Sequence, residues 1–190
     1  AKLPLNRPAA VRNLLLRLEE AEKARDLVVI VSTIEQIRAL PGRPAADIDG
    51  RLAKRLGDLN AQWLFDYANA QWVKKVVVKP GDSAIRIAHE SGSTLSSFLR
   101  LNGLVNAGRI KSGSVVKVMN HPRCNLVVSA KRADLYLNGK FFRRYEIDPS
   151  YSAEPGVYNV GGDAGRTLSS LGVSVKSKKL REELESLLPR

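Results

Sequence analysis

Residues 73–119 carry the pattern that most restricts how this chain can fold. The β-branched run at 76–78 favours a strand, and Pro80-Gly81 directly after it favours a turn. Two short segments with helical spacing follow, and the run at 115–118 reads as a returning strand. The region is therefore predicted to fold as strand, helix, helix and strand, a βααβ unit.

Both predicted helices have their own start signals. Asp82 or Ser83 can cap the first helix, and Ser93 or Thr94 can cap the second, because their side-chain oxygens accept hydrogen bonds from free backbone amides. Gly103 follows the second helix, where a left-handed residue commonly ends the element. These signals predict two helices of only a few turns each.

This region resembles the LysM (lysin motif) domain, a module that binds glycans built on N-acetylglucosamine. The residues that carry the resemblance are Val-Lys-Pro-Gly-Asp-Ser at 78–83, Ile87-Ala88, Leu101-Asn102-Gly103-Leu104, Asn106, Ile110 and Ser112-Gly113. The chain departs from the usual family pattern at Ala84, where a large apolar residue is common, and at Ala107, where a proline often stands. The resemblance implies a shallow sugar-binding groove between the loop after the first strand and the loop before the last.

Candidate glycan-binding residues lie in those two loops. Exposed backbone could pair with the N-acetyl group of the sugar, and apolar side chains could pack against its methyl group and ring. The predicted glycan-binding residues are Gly81, Asp82, Ser83, Ile85, Leu104, Val105, Asn106, Arg109 and Ile110. Ile85 and Ile110 could instead serve only the core, and the residues leave that alternative open. A single module of this kind is expected to bind weakly, so a second contact or avidity is expected.

Residues 1–72 are predicted to form a bundle of three helices that acts as a spacer and packing platform. Apolar residues recur every three or four positions in three segments, and Pro-Gly at 41–42 separates the last two. The third segment places one apolar stripe on a helix, made of Ile48, Leu52, Leu56, Leu59, Trp63 and Tyr67. Trp72 is expected to pack this bundle against the middle module.

Residues 123–190 are predicted to form a small antiparallel β domain with a terminal helix. Asn138-Gly139 between alternating segments indicates a hairpin with a type I′ turn, and Phe141, Arg143 and Tyr145 continue the alternation on its second strand. A last helix, capped by Ser177, is expected to pack on the sheet. The predicted fold class is thus α+β, with domains at 1–72, 73–122 and 123–190.

Part of the C-terminal domain resembles the first strands of an L,D-transpeptidase catalytic domain, which cross-links peptidoglycan. The residues that carry this resemblance are Leu-Val-Val-Ser at 126–129, Leu-Tyr-Leu-Asn-Gly-Lys at 135–140 and Glu-Pro-Gly-Val-Tyr at 154–158. In that family the nucleophilic cysteine follows a histidine well downstream, but neither residue type occurs after Tyr158, and Cys124 precedes the first strand. A thiolate nucleophile needs a positioned base. We therefore predict no catalytic residue and no enzyme activity.

The charge of the chain indicates an anionic partner. Its net charge is +12, and residues 71–122 hold half of that excess, with eight basic and two acidic residues. Peptidoglycan fits, because its stem peptides carry carboxylates, and nucleic acid fits on charge alone. Phe98 is the single aromatic residue in 73–119, whereas single-strand nucleic-acid binders pair a basic groove with several stacking aromatics.

Metal, cofactor and membrane functions lack a pattern in the sequence. The residues His89, His121 and Cys124 are too few and too scattered for a site of three or four ligands, so no metal site and no cofactor is predicted. The longest apolar run is far below the roughly 20 residues that span a bilayer. No signal peptide is present, and Ala1 as first residue is consistent with a chain trimmed after one.

These patterns together predict a non-enzymatic protein of the cell envelope, exported to the periplasm or the outside, that binds peptidoglycan or a related N-acetylglucosamine glycan. The alternative is a catalytically degenerate protein, similar to an L,D-transpeptidase, that takes part in wall remodelling. A third interpretation, a basic nucleic-acid binder, depends on charge alone.

Overall fold

The computed structural model describes residues 7–40, 46–67, 72–120, 123–148, 150, 153–160, 171 and 173–188. The chain forms two compact units, Ala1–Leu59 and Asn60–Arg190. Helices dominate the N-terminal part, and antiparallel sheets with a terminal helix form the C-terminal part, which confirms the α+β class. The domain boundaries predicted near residues 72 and 122 stay predictions.

Three helices open the chain, as predicted. Their bounds are α1 (Arg7–Ala24), α2 (Leu27–Ala39) and α3 (Ala46–Phe65), of which α3 continues into the second unit. Asp26 begins α2, because its carboxylate accepts the Val28 and Val29 amides at 3.1 and 3.0 Å. In α3 the predicted stripe holds at Leu52, Leu56 and Leu59 but ends before Tyr67, which is exposed. The Pro-Gly break at 41–42 lies outside the described residues.

The middle region has the predicted βααβ order. Strands β1 (Val73–Val77) and β2 (Val115–Met119) pair as a two-stranded antiparallel sheet. Between them in the chain lie α4 (Ala84–Glu90), α5 (Leu95–Leu101) and a 3-10 turn (Ala107–Arg109). Of the alternative caps, Ser83 caps α4 and Thr94 caps α5. Gly103 adopts φ +60° after α5, so the left-handed residue predicted there is confirmed.

A four-stranded antiparallel sheet follows in the second unit, with the strand order β5-β4-β3-β6. Its strands are β3 (Cys124–Ser129), β4 (Arg132–Leu137), β5 (Lys140–Glu146) and β6 (Gly156–Val160). Asn138 and Gly139 have φ of +52° and +77°, which confirms the predicted turn. Val175 forms one isolated antiparallel bridge with Ile147 outside these strands.

A bulge in β5 changes the predicted alternation. Leu135 pairs with Arg143, but the next residue, Tyr136, pairs with Phe141, so Phe142 is the extra residue. Phe141 therefore lies on the same face as Tyr136, at 5.8 Å between ring centroids, and not beside Arg143. The prediction was wrong for Phe141 because a bulge inserts one residue without a clear sequence signal.

One hydrophobic core joins the sheet to the elements around it. The terminal helix α6 (Lys178–Leu187) is capped by Ser177 and buries Leu184 and Leu187 against the sheet, as predicted. Trp72 lies in this core with its ring 5.6 Å from Phe142. Trp72 was expected to pack the bundle against the middle module, and the core that contains it holds residues of the end of α3, of β1 and of the four-stranded sheet.

Candidate functional site

The loop between β1 and α4 is held by its own hydrogen bonds. The Lys79 N–H donates to Asp82 Oδ2 at 2.7 Å, and the other carboxylate oxygen of Asp82 pairs with Arg86. The Lys79 amide, with a further contribution from the guanidinium, lowers the pKa of Asp82 below its usual value. Gly81 has φ +80°, a conformation that favours glycine and gives the turn its shape. At neutral pH the Asp82 carboxylate is therefore ionised, and it holds the loop through its contacts with the Lys79 amide and Arg86.

The start of α4 determines which side chains of this loop reach solvent. Ser83 Oγ accepts the Arg86 amide at 3.2 Å and fixes the first turn. Ala84 is buried in the core of the module, while Ile85 is 62% exposed. Ile85 therefore projects outward, and the interpretation of this residue as core only is not what the structure shows.

The second loop, residues 104–110, contains the 3-10 turn. Asn106 Oδ1 accepts the Gly108 amide at 3.2 Å and begins that turn. Val105 is 81% exposed, and Arg109 is also exposed. Leu104 and Ile110 are half-buried and pack against the module core. Apolar side chains thus line both the surface and the base of this loop.

The fold brings the two loops to one end of the module. Helix α4 lies against the 3-10 turn. The core that receives Leu104 and Ile110 from the second loop also contains Ala84 from the first. Eight of the nine predicted residues therefore lie in two neighbouring loops, and the ninth, Ile85, lies in the first turn of α4 directly after the first loop. The exposed apolar side chains Ile85 and Val105 come from these two places, one each.

Asn102 is a residue whose role the sequence analysis missed. Its Nδ2 donates to Phe98 O and Lys117 O, both at 2.8 Å, and its Oδ1 accepts the Lys117 amide at 2.7 Å. These bonds tie the end of α5 to β2 and so fix where the second loop begins. A signal was present, since Asn102 stands at the end of a predicted helix, but its partner Lys117 lies 15 positions away.

Two of the three residues considered for metal or thiol chemistry, His89 and Cys124, are described by the structure. Cys124 is buried, and burial raises the pKa of its thiol to about 12, so the thiol stays protonated at neutral pH. His89 is exposed on α4, whereas His121 lies outside the described residues. Among the residues that the structure describes, no three His, Cys, Asp or Glu side chains form a group that could hold a metal ion.

Within the described ranges, none of the helices combines the length and the apolar character that a bilayer crossing requires.

Comparisons with known proteins agree with the geometry of the middle region. The family model described as LysM domain matches residues 76–118. A search of the curated proteins and a search of the solved structures each found no match. The resemblance of residues 125–160 to the L,D-transpeptidase domain is not supported by these comparisons and stays a prediction. The matched segment coincides with the βααβ unit and contains both loops, and residues 76–118 are thus a LysM domain.

Proposed function

We propose that this protein binds peptidoglycan or a related N-acetylglucosamine glycan, non-covalently, in the groove between the two loops of its LysM domain. A LysM domain is a non-catalytic module that indicates binding of peptidoglycan or chitin-like glycans. The observation that carries the proposal is the exposure of Ile85 and Val105, at 62% and 81%, in those two loops. Two apolar side chains held in solvent by neighbouring loops suit the apolar face of a sugar.

The nine predicted residues divide into five roles in this proposal. Ile85 and Val105 contact the ring and the acetamido methyl group, and Leu104 and Ile110 form the base. Asp82, Ser83 and Asn106 shape the loops, because their side-chain oxygens already accept backbone amides. Gly81 allows close approach of the sugar to the backbone, and Arg109 supplies a positive charge for an anionic glycan.

The remainder of the proposal concerns context. LysM domains are typical of cell-envelope or extracellular proteins, and we assign this protein to the cell envelope on that basis. We further propose that it acts without catalysis, since the single thiol of the chain is buried and protonated. One shallow groove binds weakly, so stable attachment to a polymer with many repeats depends on several contacts at once.

The test is a pull-down with purified peptidoglycan, at low and at moderate salt, of the wild type and two matched variants. Val105→Asp should lower the affinity at least about tenfold, because a charge replaces an apolar contact, and a loss of that size removes detectable binding by a single weak site. Val157→Asp is the control: Val157 is 70% exposed, on β6 of the C-terminal sheet, and its replacement should leave binding unchanged.

Salt distinguishes recognition in the groove from simple charge attraction. Binding that persists at moderate salt and is lost in Val105→Asp supports the proposal. Complete loss of wild-type binding at moderate salt, or equal loss in both variants, would reject it.

A further inference from the structure

The outer face of the two-stranded sheet has an unusual composition. The register of β1 and β2 pairs Val73 with Met119, Lys75 with Lys117 and Val77 with Val115, and side chains at these alternate positions share one face. The residues of the opposite face include Val76, Val116 and Val118, which pack on the module core. The outer face is therefore a short ladder of three cross-strand pairs.

This ladder is covered at one end and open at the other. Val73 and Met119 are buried in the large core of the second unit. Val77 and Val115 are 56% and 60% exposed, and Lys75 lies exposed beside them. We refer to Val77, Val115, Lys75 and Lys117 as the valine–lysine patch.

No interaction within the described part of the chain explains why Lys75 and Lys117 stand opposite each other. Like charges directly opposite each other on neighbouring strands are destabilising. Among the described residues, no carboxylate lies within ion-pair distance of Lys75 or Lys117, and both acidic residues of the LysM domain, Asp82 and Glu90, pair with Arg86. Lysines alone could protect a strand edge from aggregation, but an exposed pair of valines has the opposite effect. Together the four side chains suit a ligand that is both anionic and partly apolar.

The patch is continuous with the loops of the groove. Beyond Val77 the ladder extends through Val78 N–H to Ser114 O at 2.9 Å and Gly113 N–H to Val78 O at 2.8 Å. Val77 precedes Gly81 by four positions, so at most about 14 Å of chain separates the patch from the tip of the first loop. A substituent on a bound glycan could span that distance.

We propose that the valine–lysine patch binds the carboxylate-bearing peptide branches of the same glycan whose sugars occupy the groove. The ammonium groups of Lys75 and Lys117 pair with the peptide carboxylates, and Val77 and Val115 contact the alkyl parts of the peptide. The substrate class is then a peptide-substituted glycan in preference to a bare one. This inference depends on the proposed function of the groove.

The experiment compares intact peptidoglycan with the same glycan after an amidase has removed its peptides. The wild type should bind the intact form about three- to tenfold more tightly, since each exposed charge pair contributes a small amount. The double variant Lys75→Gln/Lys117→Gln should lose this preference and keep the wild-type affinity for the stripped glycan. Its melting temperature should not fall, because the substitution relieves a repulsion.

The control double variant, Lys131→Gln/Lys179→Gln, removes the same charge from exposed positions outside the LysM domain and should keep the preference. Equal wild-type affinity for both glycans would overturn the patch proposal while leaving the groove proposal intact. Loss of the preference in the control would also overturn it, because net charge alone would then explain binding. A single-stranded oligonucleotide is added as a competitor. If it displaced intact peptidoglycan, and if this displacement required Lys75 and Lys117, the patch would bind nucleic acid and not peptide carboxylates. Binding of neither glycan would reject the groove itself.

Discussion

At the scale of single residues, the LysM domain separates side chains that build the loops from side chains that remain available to a ligand. Asp82, Ser83 and Asn106 each accept a backbone amide within their own loop. Ile85 and Val105 make no such bond and are exposed although they are apolar. This division leaves Ile85 and Val105 exposed for the sugar contact that we propose.

Asn102 gives the first prediction, because it anchors the second loop. Asn102→Ala removes three hydrogen bonds and leaves the Lys117 amide without its partner, so the free energy of unfolding should fall by about 2 kcal/mol. Chemical denaturation measures the change. Asn120→Ala, at an exposed position just after β2, is the control and should change it by less than about 0.5 kcal/mol. Equal effects of the two substitutions would contradict the anchoring role.

Cys124 gives a prediction for alkaline pH. The folded thiol has a pKa of about 12 and an ordinary value of 9.0, so above pH 9 the unfolded chain loses a proton that the folded chain retains. The stabilisation is therefore complete below pH 9 and is lost as the pH rises. The free energy of unfolding should fall by about 1 kcal/mol between roughly pH 8 and pH 10. The fall should be smaller in Cys124→Ala, and an identical slope in both proteins would refute the explanation.

At the scale of elements, α6 connects the LysM domain to the C-terminal sheet. Thr94 and Ser97, at the start of α5, both donate hydroxyl hydrogen bonds to Ser186 O of α6. Glu183 of α6 is buried. Its Oε1 lies 3.3 Å from Arg143 Nε of β5, and its Oε2 lies 3.8 Å from Arg100 Nη1 of α5. The carboxylate of Glu183 therefore pairs with an arginine of α5 and with an arginine of β5.

Glu183 supplies the prediction at this scale. Glu183→Gln removes the buried ion pair between Glu183 and Arg143 and should lower the free energy of unfolding by about 3 kcal/mol. Glu182→Gln is the matched control, since Glu182 is exposed and pairs with the exposed Lys178 one turn away, and it should cost about 0.5 kcal/mol or less. Urea denaturation of the two variants and the wild type measures both changes in the free energy of unfolding. A cost for Glu183→Gln no larger than that of its neighbour would show that α6 is not fixed by this pair.

Elements with local signals could be predicted from the sequence, and elements that depend on distant contacts could not. The caps at Ser83, Thr94 and Ser177 and the turn at Asn138-Gly139 are local, and all four are confirmed. The bulge at Phe142 is different, because its backbone contacts a residue far away in the sequence: Asn60 Nδ2 donates to Phe141 O and Phe142 O, 81 and 82 positions later. The exposure of Ile85 likewise depends on which face of α4 packs on the module core. The positions of the apolar residues in the sequence did not decide that.

At the scale of the whole molecule, the chain has two compact units, and the LysM domain belongs to the second, Asn60–Arg190. Leu101 of this domain, with Val73 and Met119 just outside its two ends, lies in the same core as the four-stranded sheet. A LysM domain that shares its core with a neighbouring sheet is held by long-range contacts as well as by its own small core. The net charge of +12, half of it in residues 71–122, favours encounter with anionic partners.

The central claim, that the two loops form a sugar-binding groove, is tested most directly by NMR with a soluble N-acetylglucosamine oligomer. Backbone amide shifts are followed in the whole chain during a titration. The account predicts that the largest changes fall at residues 79–85 and 104–110, and that Val105→Asp abolishes them while Val157→Asp does not. Changes centred elsewhere, or no change at millimolar sugar, would contradict it.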